Sequence, residues 1–326
     1  MSPLETDAAQ GSVPATIDAR EPIPVPTPAS ARTSTQALAI QRVRWLFRRP
    51  QPGSTRAPLS ASFYVATGLV AIVVLTIVLV PLLPFFDPDT QDLRGRFLLP
   101  FADPAHLLGT DALGRDMLSR LAVAGRVSLS IAVPAVALNL LIGVTLGLVA
   151  GYFGGRLDTV ISALSDIQLA IPIMLLLIAI VSAIGPSILT LIVVIGVANW
   201  VGYARVARAT AWSLREREFI WAPKTHGATH GWILRKHLVP NVVPALAVLV
   251  PFDLGVIVLL EAALSFLGLG IQAPTPSWGG MIEEGQTYLR DSPVITILPG
   301  LMLFMLVAGL QFMSQRLTGV QSQKAE

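Results

Sequence analysis

Between Arg205 and Asn241 the chain carries seven Lys or Arg residues, two Glu and three of its four histidines. Residues of these types can bind an anion, ligate a metal or form an ionic socket for another protein. His226 and His230 stand four apart, a spacing that puts two imidazoles on one helical face. Pro223 and Gly227 interrupt that face and no third ligand is near, so the spacing argues against a metal site. Cysteine is absent, which removes thiol nucleophiles and thiolate metal ligands. The chain has no G-x-x-x-x-G-K-[ST], no H-E-x-x-H and no Ser/His/Asp constellation. It therefore reads as a protein that is not an enzyme, with no catalytic residue, no metal and no bound nucleotide. The basic stretch lies between two long apolar segments. Its charge alone is read in two ways, as an anchor on anionic headgroups or as a socket on another protein. Pro223 suits the first turn of a helix and Gly227 suits a helix end. A helix of one or two turns is expected near 219–228, with Trp221 as an interface anchor.

A second polar stretch runs from His106 to Leu129. There Asp111 or Thr110 suits the cap of a helix starting near Ala112, Gly109 and Gly114 permit tight backbone, and Arg115, Asp116 and Arg120 are placed to pair. Read alone, this is a surface helix knit by exposed ion pairs worth about 0–1 kcal/mol each, or a docking site. Four polar residues fall inside apolar segments: Asp166, Asn199, Asp253 and Glu261. Such groups are costly in lipid and are expected to face a bundle interior or a wet cavity. Asp253 and Glu261 are eight apart, about 80° around a helix, so both can face one side. Glu261 reads as a bond between helices or as part of a cation's path, and Asp253 as a feature particular to this chain.

The surrounding elements follow from composition. Of 326 residues, 53% are hydrophobic and 13% charged, against about 25% charged in soluble domains. This is a polytopic membrane protein, all-α because only helices or closed barrels satisfy the backbone in lipid. The positive charge is small, +3, and sits at membrane flanks, which excludes a nucleic-acid partner. Residues 1–35 are Pro-, Ala-, Ser- and Thr-rich and read as a disordered tail. Residues 36–58 are basic and juxtamembrane, either an interfacial amphipathic helix or a flank that fixes topology. Six spans are expected within 59–318: 63–86, 127–153, 159–184, 186–204, 242–270 and 292–315. They leave polar loops at 87–126, 205–241 and 271–291 and a tail at 319–326. The tails, the 154–158 turn and the 205–241 loop hold 17 Lys or Arg, the other two loops six. The positive-inside rule then places both termini and the basic loop in the cytoplasm. Prolines 134, 172, 244, 251 and 299 are expected to break hydrogen bonds inside spans.

The polar stretches also resemble a known family. His106, Gly109-Thr110-Asp111, Gly114-Arg115-Asp116, Ser119-Arg120, Gly125-Arg126 and Ser128-Leu129 are similar to the signature of permease subunits of ABC importers for dipeptides, oligopeptides and nickel. Further matches follow in order: Gly151-Tyr152-Phe153-Gly154-Gly155 with Asp158, Gly202-Tyr203-Ala204-Arg205, Leu214 to Glu218, Glu261-Ala262 with Leu264 to Gly270, and Pro274 to Gly279. The resemblance covers 60–318 and is nearest the second, C-type permease of the pair. It implies a type I importer fold in a bacterial or archaeal inner membrane. It also implies a homologous B-type permease, two ATPase subunits carrying ATP and Mg, and an extracytoplasmic binding protein. Lipid surrounds the assembly and this chain holds no cofactor.

The basic loop then corresponds to the family's EAA loop, whose short helix docks on the ATPase. The aligned residues are Trp221-Ala222-Pro223, Gly227, Leu238 and Pro240. Only the middle Ala and the Gly of the motif core are kept, and Pro223 moves the expected helix start. The function implied is ATP-driven import of peptides or related small solutes. The competing reading is an ion- or proton-coupled secondary transporter using Asp166, Asp253 or Glu261 as a relay.

Overall fold

The computed structural model of the protein describes residues 61–325, with side chains from 63 to 315. The expected tail over 1–35 and basic segment over 36–58 lie outside these residues. Regular structure among the described residues is helical, apart from two isolated β-bridges in the first polar loop. The helices are α1 (Ala61–Leu79), α2 (Met117–Phe153), α3 (Gly155–Ala170), α4 (Ile173–Ile184), α5 (Ile188–Ala198) and α6 (Val201–Leu214). They continue with α7 (Glu218–Thr225), α8 (His230–Ile233), α9 (Val239–Ala247), α10 (Leu249–Phe266), α11 (Trp278–Gln286) and α12 (Val294–Ala325). Among the described residues, five stretches are long and apolar enough to cross a membrane, and a sixth if the bent pair α3–α4 is one span.

Several boundaries differ from expectation for identifiable reasons. The third span is not one helix: α3 and α4 meet at 85°. Pro172 has no N–H to continue α3 and pushes Ile171 out of the helical region; Ile171 accordingly sits at φ −98°, ψ 123°. The fourth span is interrupted at Asn199, φ −121°, ψ 16°, and then runs on to Leu214, absorbing the first ten residues of the expected 205–241 loop. The second span begins at Met117, so the first polar loop ends near 116 rather than 126. The fifth divides into α9 and α10. The last helix extends to Ala325, through most of the expected 319–326 tail. Pro134 and Pro299 lie inside continuous helices.

The most extensive packing joins α2 to α6. Gly143, Gly147 and Gly151 make one stripe along α2, four residues apart. A Cβ on them would lie 2.6 Å from the Trp200 carbonyl oxygen, 2.4 Å from that of Ala204 and 2.5 Å from that of Arg208. Ala204, Ala207 and Ala211 answer from α6, all nearly or wholly buried. Lipid provides no hydrophobic drive for helix pairing, so close approach through small residues supplies the dispersion contacts instead. At the far end α11 wedges against α2. Trp278 is fully buried and its Nε1 donates to the Leu121 carbonyl at 3.2 Å.

Gly147→Val should destabilise the detergent-solubilised protein by about 1–3 kcal/mol through overpacking, while Gly300→Ala, which meets nothing within 4 Å, should not. Thermal unfolding followed by tryptophan fluorescence checks this, and equal melting of the two variants would refute the seam.

Candidate functional site

Three polar arrangements stand out, spaced along α2. The first is at its N-terminal end. Asp111 does not cap a helix there, and Thr110 does not either. The cap is Asp116, whose carboxylate accepts from the Ser119 N–H at 2.7 Å while its other oxygen meets His106 Nδ1 at 3.2 Å. Asp111 instead folds the preceding loop. Its Oδ1 accepts from the backbone N–H of Leu113 at 2.8 Å and of Arg115 at 2.9 Å. Its Oδ2 receives Arg115 Nε at 2.7 Å and Arg120 Nη1. The same two guanidinium groups reach across to Glu284 on α11, at 2.9 and 2.8 Å.

This clasp is not the set of exposed pairs expected from sequence. The Asp111 and Arg120 side chains are 3% and 4% exposed, and only Glu284, at 41%, meets solvent. Glu284 lies 169 residues from Arg115, so no local spacing could have revealed it. Thr110 donates to the Gly95 carbonyl and accepts from the Leu98 N–H at 3.0 Å. Gly114, at φ +76°, brings the loop so close that a Cβ would lie 1.8 Å from the Asp92 carbonyl oxygen; Gly109 approaches Leu98 in the same way. A neighbouring cavity of about 190 Å³ is lined by Arg115, Arg120, Pro274 and Glu284.

The second arrangement lies midway along α2. Asn139 donates to Asp253 at 3.2 Å and Asn199 donates to it at 2.6 Å. Asp253 is 7% exposed and Asn139 is fully buried. The Tyr203 hydroxyl faces the same carboxylate without a hydrogen bond of regular geometry. A cavity of about 200 Å³ opens over Asn199, Tyr203 and Asp253. Glu261, fully buried, lies two turns further along α10, accepting from Ser265 at 2.7 Å with Ser128 of α2 beside it. The two carboxylates share the face of α10 that packs on α2, as the eight-residue spacing allows. Asp166 does not join them. It is 74% exposed, pairs with Arg205 at 3.5 Å and lines a separate cavity of about 260 Å³ with Arg205 and Arg208.

The third arrangement is at the C-terminal end of α2. The helix expected near 219–228 is α7, but Pro223 sits inside it and does not set its start. Its C-terminus closes with the Ala228 N–H on the Pro223 carbonyl at 3.0 Å and the Gly227 N–H on that of Lys224 at 3.2 Å. This closure requires a left-handed residue, and Gly227 supplies it at φ +84°. Ile220 buries one side of α7 at 2% exposure, leaving Phe219 and Trp221 bare at 42% and 53%. Ala222 is exposed beside them, and Lys224 lies over the Trp221 ring at 4.9 Å. Leu238 is fully buried, packed with Ile220, Ile233 and Tyr203, so it supports the loop from within. Pro240 is exposed at the start of α9.

The three histidines do not converge. His226 bonds the Ala222 carbonyl, His230 bonds the Tyr152 hydroxyl at 2.9 Å, and His237 stacks edge-on to Trp232. Sequence reasoning also missed the pairing of Arg208 with both oxygens of Asp158, one of them at 2.7 Å, which ties α3 to α6.

Residues 143–320 match the family model described as "Binding-protein-dependent transport system inner membrane component". The nickel transport system permease protein NikC of Escherichia coli is 38% identical over 252 residues, 76% of this chain and 90% of that one. The dipeptide transport system permease protein DppC of Alkalihalophilus pseudofirmus is 35% identical, with 89% and 92% covered. The probable D,D-dipeptide transport system permease protein DdpC of Escherichia coli is 34% identical, with 82% and 90% covered. Among solved structures, an inward-facing MetNI methionine ABC transporter chain is 23% identical, with a TM-score of 0.48 over 61% of this chain and 95% of that one.

Asp111→Asn should cost about 3–5 kcal/mol, because it strips a buried guanidinium pair of its buried partner. Glu284→Gln should cost about 1 kcal/mol or less, since water reaches that carboxylate. Melting of the two purified variants measures both, and the reverse order would show that the clasp is held from α11.

Proposed function

The chain belongs to the family of binding-protein-dependent inner-membrane transport components and is a permease subunit of an ABC importer, and on that premise we propose that it pairs with a homologous permease to form the path for peptides or related small solutes. Transport is driven by ATP hydrolysis on two partner ATPases, and a binding protein delivers solute to the opposite face. Peptides, and nickel as a second substrate class, come from what the relatives' names say those proteins transport. The charge asymmetry of the loops supports cytoplasmic placement of both termini and of α7.

The observation that carries the ATPase contact is α7. An eight-residue helix stands between two spans, pinned into the bundle by Ile220 and fixed at its end by Gly227. It offers Phe219 and Trp221 to a partner. Exposed aromatic anchors on a rigid mount are the usual centre of a protein interface. Trp221 and Ala222 are the contact residues in this reading, while Gly227, Pro223, Leu238 and Pro240 hold the loop's shape. At the other end of α2, the loop of Gly109, Thr110, Asp111, Gly114, Arg115 and Asp116 is the docking face for the binding protein. Its rigidity comes from the clasp. Asp253, Asn199 and Glu261 are assigned to the interior of the path, and Asp166 to a surface that the second permease covers.

ATP-dependent solute uptake into vesicles holding the whole assembly tests this reading. Gly227→Val should lower uptake about tenfold or more while the protein still reaches the membrane. Gly227→Asn should fall between it and the native chain, because Asn tolerates the left-handed conformation that Val resists. Uptake indifferent to both changes would remove α7 from the coupling. Uptake by this chain alone, driven by a proton gradient, would overturn the reading entirely.

A further inference from the structure

We propose that the cavity at Asp253 is a subsite for a primary ammonium group on the permeant, held midway through the path; this rests on the chain's reading as a permease. The site is built from four elements. Asn139 comes from α2, Asn199 from the break between α5 and α6, Tyr203 from α6, and Asp253 from the first turns of α10. Asn139 lies 22 residues from one end of α2 and 14 from the other, about 33 and 21 Å along the axis. The cavity is therefore at membrane depth, where an ionisable side chain must find a partner or serve a passing one.

Asp253 has hydrogen bonds but no counter-charge. Both of its oxygens accept from amide N–H groups. None of the ion pairs among the described residues involves it. Amide donors favour the ionised form of a carboxyl group but bring no positive charge of their own. The Tyr203 hydroxyl lines the same cavity, is 3% exposed as a residue, and faces the Asp253 carboxylate without a hydrogen bond of regular geometry. A phenol that turns its O–H to a carboxylate keeps its own lone pairs open to a further donor.

That donor must be cationic, carry several N–H groups and be small. The cavity is about 200 Å³, roomy for an aminomethyl group. The carboxylate and the phenol oxygen offer two acceptors, and the Asn199 amide, whose N–H faces Asp253, leaves its carbonyl for a third. A primary ammonium presents three donors. Leu249, Phe252 and Val256 complete the wall, which suits the apolar carbon that bears the amine. A divalent metal fits less well, because the lining holds one carboxylate and no histidine. The break at Asn199 is what opens this space. Irregular backbone at membrane depth is tolerated where it lines a cavity.

The test uses the purified assembly of permeases and ATPases without its binding protein. Alaninamide serves as a cationic probe and lactamide as its neutral counterpart. Millimolar alaninamide should raise the melting temperature of the native assembly, and lactamide should not. Asp253→Asn should lose the shift, and Tyr203→Phe should weaken the apparent affinity about threefold or more. No shift with alaninamide, an equal shift with lactamide, or an undiminished shift in assembled Asp253→Asn would each overturn the proposal. A shift with nickel(II) chloride alone that depends on Asp253 would replace the ammonium by a metal cation and also overturn it. Should Asp253→Asn fail to assemble, the native probe pair and Tyr203→Phe still decide the matter. ATP-dependent uptake by the native assembly is read separately, so the permease reading can fail or stand without touching this result.

Discussion

Everything in this chain depends on how closely α2 can approach α6. In a bilayer the solvent is as apolar as the side chains, so packing area alone does not hold two helices together. Three glycines on α2 and three alanines on α6 remove the side chains that would keep the backbones apart. The seam starts one turn from Asn139 and ends beside Tyr152. It thereby fixes the distance between the two halves of the Asp253 cavity, since Asn139 comes from one helix and Tyr203 from the other. The same contact holds the far end of α6 beside Tyr152, where His230 and α7 are attached.

Because α2 is 37 residues long, about 55 Å, one rigid element carries all three arrangements. Its first turns hold the clasp through Arg120. Its middle bears Asn139, and its last turn bears Tyr152. The clasp adds ion pairs to the apolar packing of Trp278 in fastening α11 to this rod. Two guanidinium groups between two carboxylates are costly to desolvate, but each satisfies the others, and losing the buried Asp111 leaves buried positive charge without its buried partner. Such an arrangement favours one geometry over near alternatives, which suits a surface that must present a fixed shape to another protein.

The membrane character, the helical fold and the short exposed helix are legible in the sequence because they rest on composition and on local signals. Trp221, Pro223 and Gly227 lie within one helical turn or two, and their order alone suggests a capped helix. What was not legible depends on pairing at a distance. Asp111 reads as a cap because that is the commonest local use of such a residue, and the Glu284 that completes the clasp from the other side of its two arginines lies far along the chain. Asp166, as charge in an apolar run, is expected at a bundle interior or a wet cavity; that its cavity is shared with Arg205 and Arg208 and not with Asp253 depends on a helix pairing that local sequence does not show. The Gly143, Gly147, Gly151 stripe was visible as a four-residue repeat of small residues and is the signal that could have located the α2–α6 contact.

The two interruptions in the apolar helices belong together physically. Ile171–Pro172 ends α3 and Asn199 ends α5. Gln168, in the last turn of α3, donates its side-chain amide to the carbonyl of Ala198 at the second break. Asp158 and Arg208 join the other ends of α3 and α6, and Asp166 meets Arg205 between them. So side-chain bonds link α3 to α6 across a cavity that both helices line, the glycine seam joins α6 to α2, and Ile220 packs α7 against both. The remaining freedom lies where backbone hydrogen bonds are already interrupted, at residues 171–172 and 199–200, since turning there breaks no intact helix. One of those two points forms the rim of the Asp253 cavity, so a turn there would reshape that cavity directly.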